Sequence, residues 1–163
     1  MENKKEIRRA ARTVIIDETT NKIAIMEVKG GDYHKIPGGG VEGDESLEEA
    51  ALREAIEEGA SDVELLTDLG ETEFESPVFP GLINRSVCFL ARKIREHKTT
   101  AFTEEEMENK FKLLWLTFDE AIEKFENVTS KIQFELEMNN RDMKYVKKAK
   151  EWLTANKNKF GPN

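Results

Sequence analysis

Apolar and polar residues near the start of the chain follow the pattern of two strands joined by a turn. Residues 13–16 are β-branched or aliphatic, and residues 23–28 form a second, largely apolar run. The five residues between them, 17–21, are all polar. Because β-branched residues favour strands and polar stretches favour turns, this pattern predicts a hairpin with a rather long loop.

A helix is predicted after a glycine-rich loop that covers residues 38–43. Ser46 is a good N-cap residue, and Glu49 stands three positions later, which is the spacing of a capping box. Apolar residues then recur at helical spacing as far as Glu58. We therefore predict a helix over residues 46–58, with its N-terminus directly after the loop.

The rest of the chain alternates between predicted strands and helices. We predict strands at residues 63–66, 69–74, 82–91 and 111–116, an acidic loop at 100–109, and helices at 117–125 and 140–156. This order predicts the α/β fold class, with a mixed sheet covered by helices on both faces. Since the chain has no internal repeat and no linker-like segment, we expect residues 1–163 to form a single domain.

Composition and charge limit the classes of partner. Of the 163 residues 38% are hydrophobic, which is enough for a core, and the formal net charge is −8. An acidic protein is poorly suited to hold a nucleic-acid polymer by its phosphates. Residues 1–6 are too charged for a signal peptide, and no apolar stretch reaches membrane length, so we expect a cytoplasmic protein. The single cysteine, Cys88, lies in an apolar run and is expected to be buried.

The predicted helix at 46–58 places three carboxylates on one stripe. Each residue advances about 100° around a helix, so Glu57 and Glu58 lie within roughly 60° of Glu54. The apolar residues of the helix share that stripe: Leu47, Ala50 and Ala51. Acidic residues on a core-facing stripe repel one another, and burial would raise their pKa values.

Two interpretations of these acids remain open at this point. A divalent cation would relieve the repulsion, because Mg²⁺ prefers carboxylate oxygens and shares its shell with phosphates. Alternatively, the acids form a solvated face on which Arg53 pairs with Glu49 and Glu57. The preceding glycines favour the cation, because they allow a backbone to approach a ligand closely.

Residues 39–61 match a known signature, G-x5-E-x7-R-E-U-x-E-E-x-G-U, in which U is a bulky aliphatic residue. Its fixed positions are occupied in register by Gly39, Glu45, Arg53, Glu54, Glu57 and Glu58. The chain therefore resembles the Nudix hydrolases. It departs from the signature at Ala60, where the family has glycine, and at Ser61, where it has an aliphatic residue. Ala55 is also smaller than usual. We expect Gly59 to adopt the left-handed conformation that ends the helix.

The resemblance implies a Nudix α/β/α sandwich that binds Mg²⁺ or Mn²⁺. Carried over by position, the metal ligands would be Glu54, Glu57 and Glu58, with a backbone carbonyl of Gly38 or Gly39. Arg53 would orient a carboxylate and Glu45 would have a supporting role. A bound metal would neutralise the diphosphate and activate the water that attacks phosphorus.

The resemblance also implies a further acid outside the signature, acting as a ligand or a general base. Glu104, Glu105, Glu106 and Glu108 stand at the expected place, and we take Glu105 as the representative candidate. Substrate contacts are expected from the glycines Gly38, Gly39 and Gly40 and from Lys35 and Arg12.

The implied reaction is hydrolysis of a phosphoanhydride bond in a nucleoside diphosphate linked to another group, such as a nucleoside triphosphate or ADP-ribose. The implied partners are a small-molecule nucleotide and, since many relatives dimerise, a second copy of the chain. The alternative functions are a catalytically silent Nudix module that binds a ligand or protein, and an unrelated acidic structural protein.

Overall fold

The computed structural model describes residues 4–157. Its strands are β1 (Glu6–Asp17), β2 (Lys22–Val28), β3 (Tyr33–Lys35), β4 (Gly38–Gly40), β5 (Ser61–Glu75), β6 (Leu82–Glu96) and β7 (Lys112–Leu116). Its helices are α1 (Leu47–Glu57), α2 (Glu104–Glu108), α3 (Phe118–Glu126) and α4 (Gln133–Ala155).

All seven strands belong to one mixed sheet. The main order is β3-β2-β1-β6-β5, with β4 paired to β1 and β7 paired to β2. Strands β1 and β6 are parallel, whereas the other pairs are antiparallel. The predicted hairpin is present as β1 and β2, with Ile16 opposite Ile23.

Helices cover both faces of this sheet, which confirms the predicted α/β class. Along β1, Ile15 packs in the layer beneath α1, whereas Val14 and Ile16 pack in the layer beneath α3 and α4. Side chains alternate between the faces of a strand, so a run that is apolar at consecutive positions supplies both layers. Cys88 is buried in the α3 and α4 layer, as expected.

Several predicted elements differ from the structure. Helix α4 begins at Gln133, seven residues before the predicted start. Apolar spacing does not mark its first half, because the buried Asn139 is polar and bonds to His34 and Phe125. The acidic loop at 100–109 contains the short helix α2, which Thr103 caps through a capping box with Glu106. The strands predicted at 63–66 and 69–74 are one strand, β5, whose irregular register hides the alternation.

The end of α1 differs from the expectation for Gly59. The left-handed residue is Ala60, with φ +46°, and Gly59 is not among the residues of positive φ. Gly59 is constrained by space instead, since a Cβ there would lie 2.7 Å from both the carbonyl oxygen of Ala55 and the Cδ1 of Ile15. Ala60 thus keeps the backbone turn of the signature without its glycine, at a cost in backbone strain.

Candidate functional site

A cleft of about 420 Å³ lies along β4, at the junction of the two helical layers. One wall comes from α1 and α2 and is rich in acids. The second wall, which we call the cationic wall, comes from β1, β3, β5, β6 and α4 and contributes cationic and aromatic side chains. The glycine strand β4 also lines the cleft. The two walls differ in charge, because one is rich in acids and the other in cations.

The three carboxylates of the α1 stripe differ in exposure. Glu54 is 9% exposed and Glu58 only 1%, whereas the side chain of Glu57 remains 38% exposed. Burial raises the pKa of Glu54, although the charge of Arg53 opposes the shift. The interpretation as a fully solvated acidic face is therefore wrong, because two of the three acids are buried.

Glu58 is the most strongly perturbed of the three. Its Oε1 accepts a hydrogen bond from the amide of Gly38 at 2.8 Å, while its buried Oε2 accepts none from a nitrogen or hydroxyl donor. Glu58 also lies within hydrogen-bonding reach of the carboxyl group of Glu106, a contact that requires a proton on one of the two acids. The nearest cation, the Nζ of Lys35, lies 3.6 Å from Oε2. Burial raises the pKa of Glu58, and the neighbouring carboxylate of Glu106 raises it further. A buried carboxylate oxygen without a donor is a strong attractor for a cation.

Arg53 fixes the acidic wall by contacting several groups at once. Its Nε lies 2.8 Å from Glu45, and its Nη1 lies 2.9 Å from Glu54 and 3.1 Å from Glu57. Its Nη2 donates to the carbonyl of Gly40 at 3.0 Å. The hydrogen bond from Arg53, together with one from the amide of Glu42, lowers the pKa of Glu45 to about 2. The pairing predicted with Glu49 was wrong, because Glu49 closes the capping box at Ser46.

The glycines of β4 allow this wall to approach the backbone. A Cβ at Gly39 would overlap the Oε1 of Glu54, and a Cβ at Gly38 would lie 2.6 Å from the carbonyl oxygen of Ala11. Gly40 is less crowded, since a Cβ there would meet nothing closer than 3.6 Å. The Glu54 carboxylate therefore lies directly against the Gly39 backbone, as the sequence pattern suggested for a shared ligand site.

The donor set fits a divalent cation, although its carboxylates are not already gathered. Across residues 4–157, no three histidine, cysteine, aspartate or glutamate side chains stand at metal-holding distances. The reason is that Arg53 holds Glu54 and Glu57 while Glu58 turns towards Gly38. A hard cation would provide a partner for the unpaired oxygen of Glu58, and it would stabilise the charged form of Glu54, whose pKa burial raises.

The acids of α2 do not contribute equally. Glu105 and Glu106 both line the cleft, but Glu105 is exposed, whereas Glu106 is partly buried beside Glu58. Burial alone would raise the pKa of Glu106, yet its hydrogen bonds to Glu58 and Thr103 lower it. The sequence does not show which of these acids is buried, because it predicts a loop where the short helix α2 places Glu106 towards Glu58.

The cationic wall contains the two predicted contacts and others that the sequence did not reveal. Lys35 and Arg12 both line the cleft and are 8% and 7% exposed. Arg141 and Asn84 lie on the same wall and are similarly buried. No local motif marks these two positions, which come from the first half of α4 and from β6.

A family model described as the NUDIX domain matches residues 6–136, which is most of the chain. The chain belongs to the Nudix family. The match covers the signature, both walls of the cleft as far as the start of α4, and every strand of the sheet.

Similar proteins agree with this assignment. The chain is 33% identical to Nudix hydrolase 4 of Arabidopsis thaliana over 106 residues, which are 65% of this chain and 48% of that protein. The chain therefore spans about half the length of the curated relative it matches. A solved ADP compounds hydrolase superposes with a TM-score of 0.63 at 17% identity, covering 91% of this chain and 74% of its own. An Ap4A hydrolase from C. elegans gives 0.60 at 16% identity, covering 91% and 98%.

None of the helices between residues 4 and 157 is long and apolar enough to cross a membrane.

Proposed function

We propose that this Nudix chain is a divalent-metal-dependent pyrophosphohydrolase. Its reaction is the hydrolysis of a phosphoanhydride bond in a nucleoside diphosphate linked to another group. The observation that carries the proposal is Glu58, a carboxylate at 1% exposure whose Oε2 has no donor and whose neighbours include Glu54 and Glu106. Such an arrangement is expensive in a purely structural role and is suited to a cation.

Each group has a separate task in this proposal. Glu54, Glu57, Glu58 and the backbone of Gly39 would hold Mg²⁺ or Mn²⁺, which supplies charge neutralisation and a lowered pKa for bound water. Arg53 keeps Glu54 and Glu57 aligned and is itself anchored by Glu45.

The remaining groups act on the proton and on the phosphates. Glu106 is our preferred proton acceptor over Glu105, because Glu106 is partly buried beside Glu58, whereas Glu105 is exposed to solvent. Lys35 and Arg12 also line the cleft, with the Nζ of Lys35 3.6 Å from Glu58, and their positive charge can contact the phosphates.

The substrate is a small nucleotide derivative. The similar solved structures include an ADP compounds hydrolase and an Ap4A hydrolase, which supports nucleoside diphosphate derivatives as the class to test. The partly buried pair Phe74 and Phe134, with ring centroids 5.9 Å apart, lines the cleft and provides a surface for a base or ribose. We further propose a single domain, a cytoplasmic location and a homodimer as the arrangement to test.

The direct test is turnover of a panel of nucleotides with Mg²⁺ or Mn²⁺, including nucleoside triphosphates, ADP-ribose, Ap4A and nucleotide sugars. We expect metal-dependent release of a nucleoside monophosphate or pyrophosphate from at least one of them. If none is turned over and neither metal raises the melting temperature, the silent-module alternative is correct instead.

The cation site is tested separately by two glycine substitutions. Gly39→Ala places a Cβ against the Glu54 carboxylate, so we expect metal affinity to fall by about 10-fold to 100-fold. Gly40→Ala is the matched control, because a Cβ there would meet its neighbours only at ordinary van der Waals distances of 3.6 Å or more. Titration with Mn²⁺ should separate the two variants, and equal affinities would contradict the assigned site.

A further inference from the structure

Three buried side chains on the cationic wall carry hydrogen-bond donors that no protein atom accepts. They are the Nη1 of Arg12, the Nδ2 of Asn84 and the Nη2 of Arg141, and we refer to these three residues as the donor wall. Each residue is less than 9% exposed and lines the cleft. Because a buried donor without an acceptor is costly, the donor wall lacks a partner that a ligand could provide.

The protein holds the two guanidinium groups by one end only. The Nε of Arg12 donates to the Oγ of Ser86 at 3.2 Å, and the Nε of Arg141 donates to Asp142 at 2.8 Å. These bonds fix the planes of the guanidinium groups and leave one terminal nitrogen of each without an acceptor. Both guanidinium groups are therefore held in a fixed orientation while each keeps a donor that is free to bind a ligand.

The charge of the donor wall is not balanced. The fully buried carboxylate of Asp142 acts on both arginines. The second buried carboxylate, Glu58, acts on Arg12 but also has Lys35 at 3.6 Å, so three cations face two carboxylates. Burial lowers the pKa of Arg12 to about 10, and the positive charge of Arg141 contributes to the shift. Lys29, also on the cleft, is already paired with Glu135. An oxyanion would supply both the missing negative charge and the missing acceptors.

A neutral group fits this surface less well. The edge of a nucleobase presents donors beside acceptors, and ribose hydroxyls do the same. The unpaired groups of the donor wall are donors alone, and two of the three belong to cations. A phosphate has acceptor oxygens on every side and can accept from all three residues.

We propose that the donor wall binds a phosphate group of the substrate outside the scissile diphosphate. This inference rests on the proposed function and narrows it. Nucleotides with a chain of three or more phosphates are then preferred over those, such as ADP-ribose, whose diphosphate ends in a neutral sugar.

The decisive variant is Asn84→Leu. It removes a donor that has no partner in the protein, so the fold should be retained, and its melting temperature verifies this. Arg141→Lys is the second variant, because it keeps the charge and loses the forked donors. Asn140→Leu, at an exposed position on the same helix as Arg141, is the matched control.

Binding is measured by calorimetry in EDTA, with inorganic triphosphate and ADP-ribose as the probes. We expect Asn84→Leu and Arg141→Lys to weaken triphosphate binding by about tenfold or more, with ADP-ribose binding unchanged. With metal present, KM for a nucleoside triphosphate should rise while kcat stays the same.

Equal weakening of both probes would overturn the proposal, since the donor wall would then recognise a part that both share. No detectable triphosphate binding by the unsubstituted protein, or no loss in Asn84→Leu, would overturn it as well. Failure of the proposed function looks different: hydrolysis would be absent with every nucleotide, whereas these metal-free affinities would still be measurable.

Discussion

Two buried carboxylates hold the segment around Pro37 from opposite helical layers. Glu58, directly after α1, accepts the amide of Gly38 at 2.8 Å. Asp142, on α4, accepts the amide of Ile36 at 3.0 Å. Their exposures are 1% and 0%, so they are alike in burial and in backbone contact.

They differ in how their charge is compensated. Asp142 lies 2.8 Å from the Nε of Arg141 and close to Arg12, and although burial works against it, these cations lower its pKa. Glu58 has no ion pair shorter than the 3.6 Å contact with Lys35, and its pKa is raised. A compensated buried carboxylate stabilises the fold, whereas an uncompensated one costs stability and attracts a cation. Burial by itself therefore does not distinguish a structural acid from a functional one.

The largest expected effect is on activity. Glu58→Gln keeps the size of the side chain but removes the negative charge, so we expect turnover of the best nucleotide to fall by at least about 100-fold. Steady-state kinetics at saturating Mg²⁺ measures this. Glu48→Gln, at an exposed position of the same helix, should leave the rate unchanged. Normal activity of the Glu58→Gln enzyme would show that Glu58 has no part in catalysis and, like Asp142, only stabilises the fold.

The other carboxylate should affect stability instead. Asp142→Asn leaves Arg12 and Arg141 without their buried counter-charge, so we expect the free energy of unfolding to fall by about 3 kcal/mol. Urea denaturation in EDTA gives this value. Glu58→Gln under the same conditions should lose nothing, and an equal loss in both variants would remove the distinction between them.

The two acids should also give the metal-free protein opposite dependences on pH. Burial and Glu106 raise the pKa of Glu58 to about 8, so its contribution is complete below about 4.5 and is lost as pH rises through about 8. The free energy of unfolding of the metal-free protein should therefore fall between those two pH values. Melting temperatures in EDTA measure it, and Glu58→Gln should abolish it.

Asp142 has the opposite sign because its pKa in the folded protein is lowered. Its contribution is present above the ordinary aspartate value and disappears as pH falls through the lowered one. Asp142→Asn should therefore flatten the acid limb of the stability curve. A Glu58→Gln protein that still loses stability between pH 4.5 and 8 would show that other groups cause the alkaline loss.

The smallest effect concerns the turn that follows Glu58. Ala60 has φ +46°, a conformation that glycine adopts without strain, so Ala60→Gly should raise the free energy of unfolding by about 1 kcal/mol. Ala55→Gly, within α1, should lower it by about 1 kcal/mol as the control. Thermal melting compares them, and destabilisation by Ala60→Gly would mean that the strain at this turn is negligible.

The sequence predicted the elements whose signals are local. The capping box at Ser46, the hairpin of β1 and β2 and the alignment of Glu54, Glu57 and Glu58 all follow from spacing within one element. The position of the left-handed residue was not predicted in this way. A Cβ at Gly59 would meet Ile15 on β1, and the left-handed residue is Ala60.

The part of the acidic wall that α1 supplies could be predicted, because it is encoded in consecutive residues of one helix and the loop before it. The donor wall could not, because Arg12, Asn84 and Arg141 lie on three elements far apart in the chain. Helical and strand periodicity carries no information about which elements become neighbours. Only the packing of α4 over β1 and β6 gathers these donors.

By itself, the sequence determined the fold class, the family and the placement of three acids along one helix, because each depends on residue type at short spacing. The tertiary structure decided the charge balance around each buried acid. Glu58 and Asp142 look equally acidic in the sequence, and only their neighbours separate them. The energy of a buried charge depends on the distances to other charges and to solvent, and those distances exist only once the chain is folded.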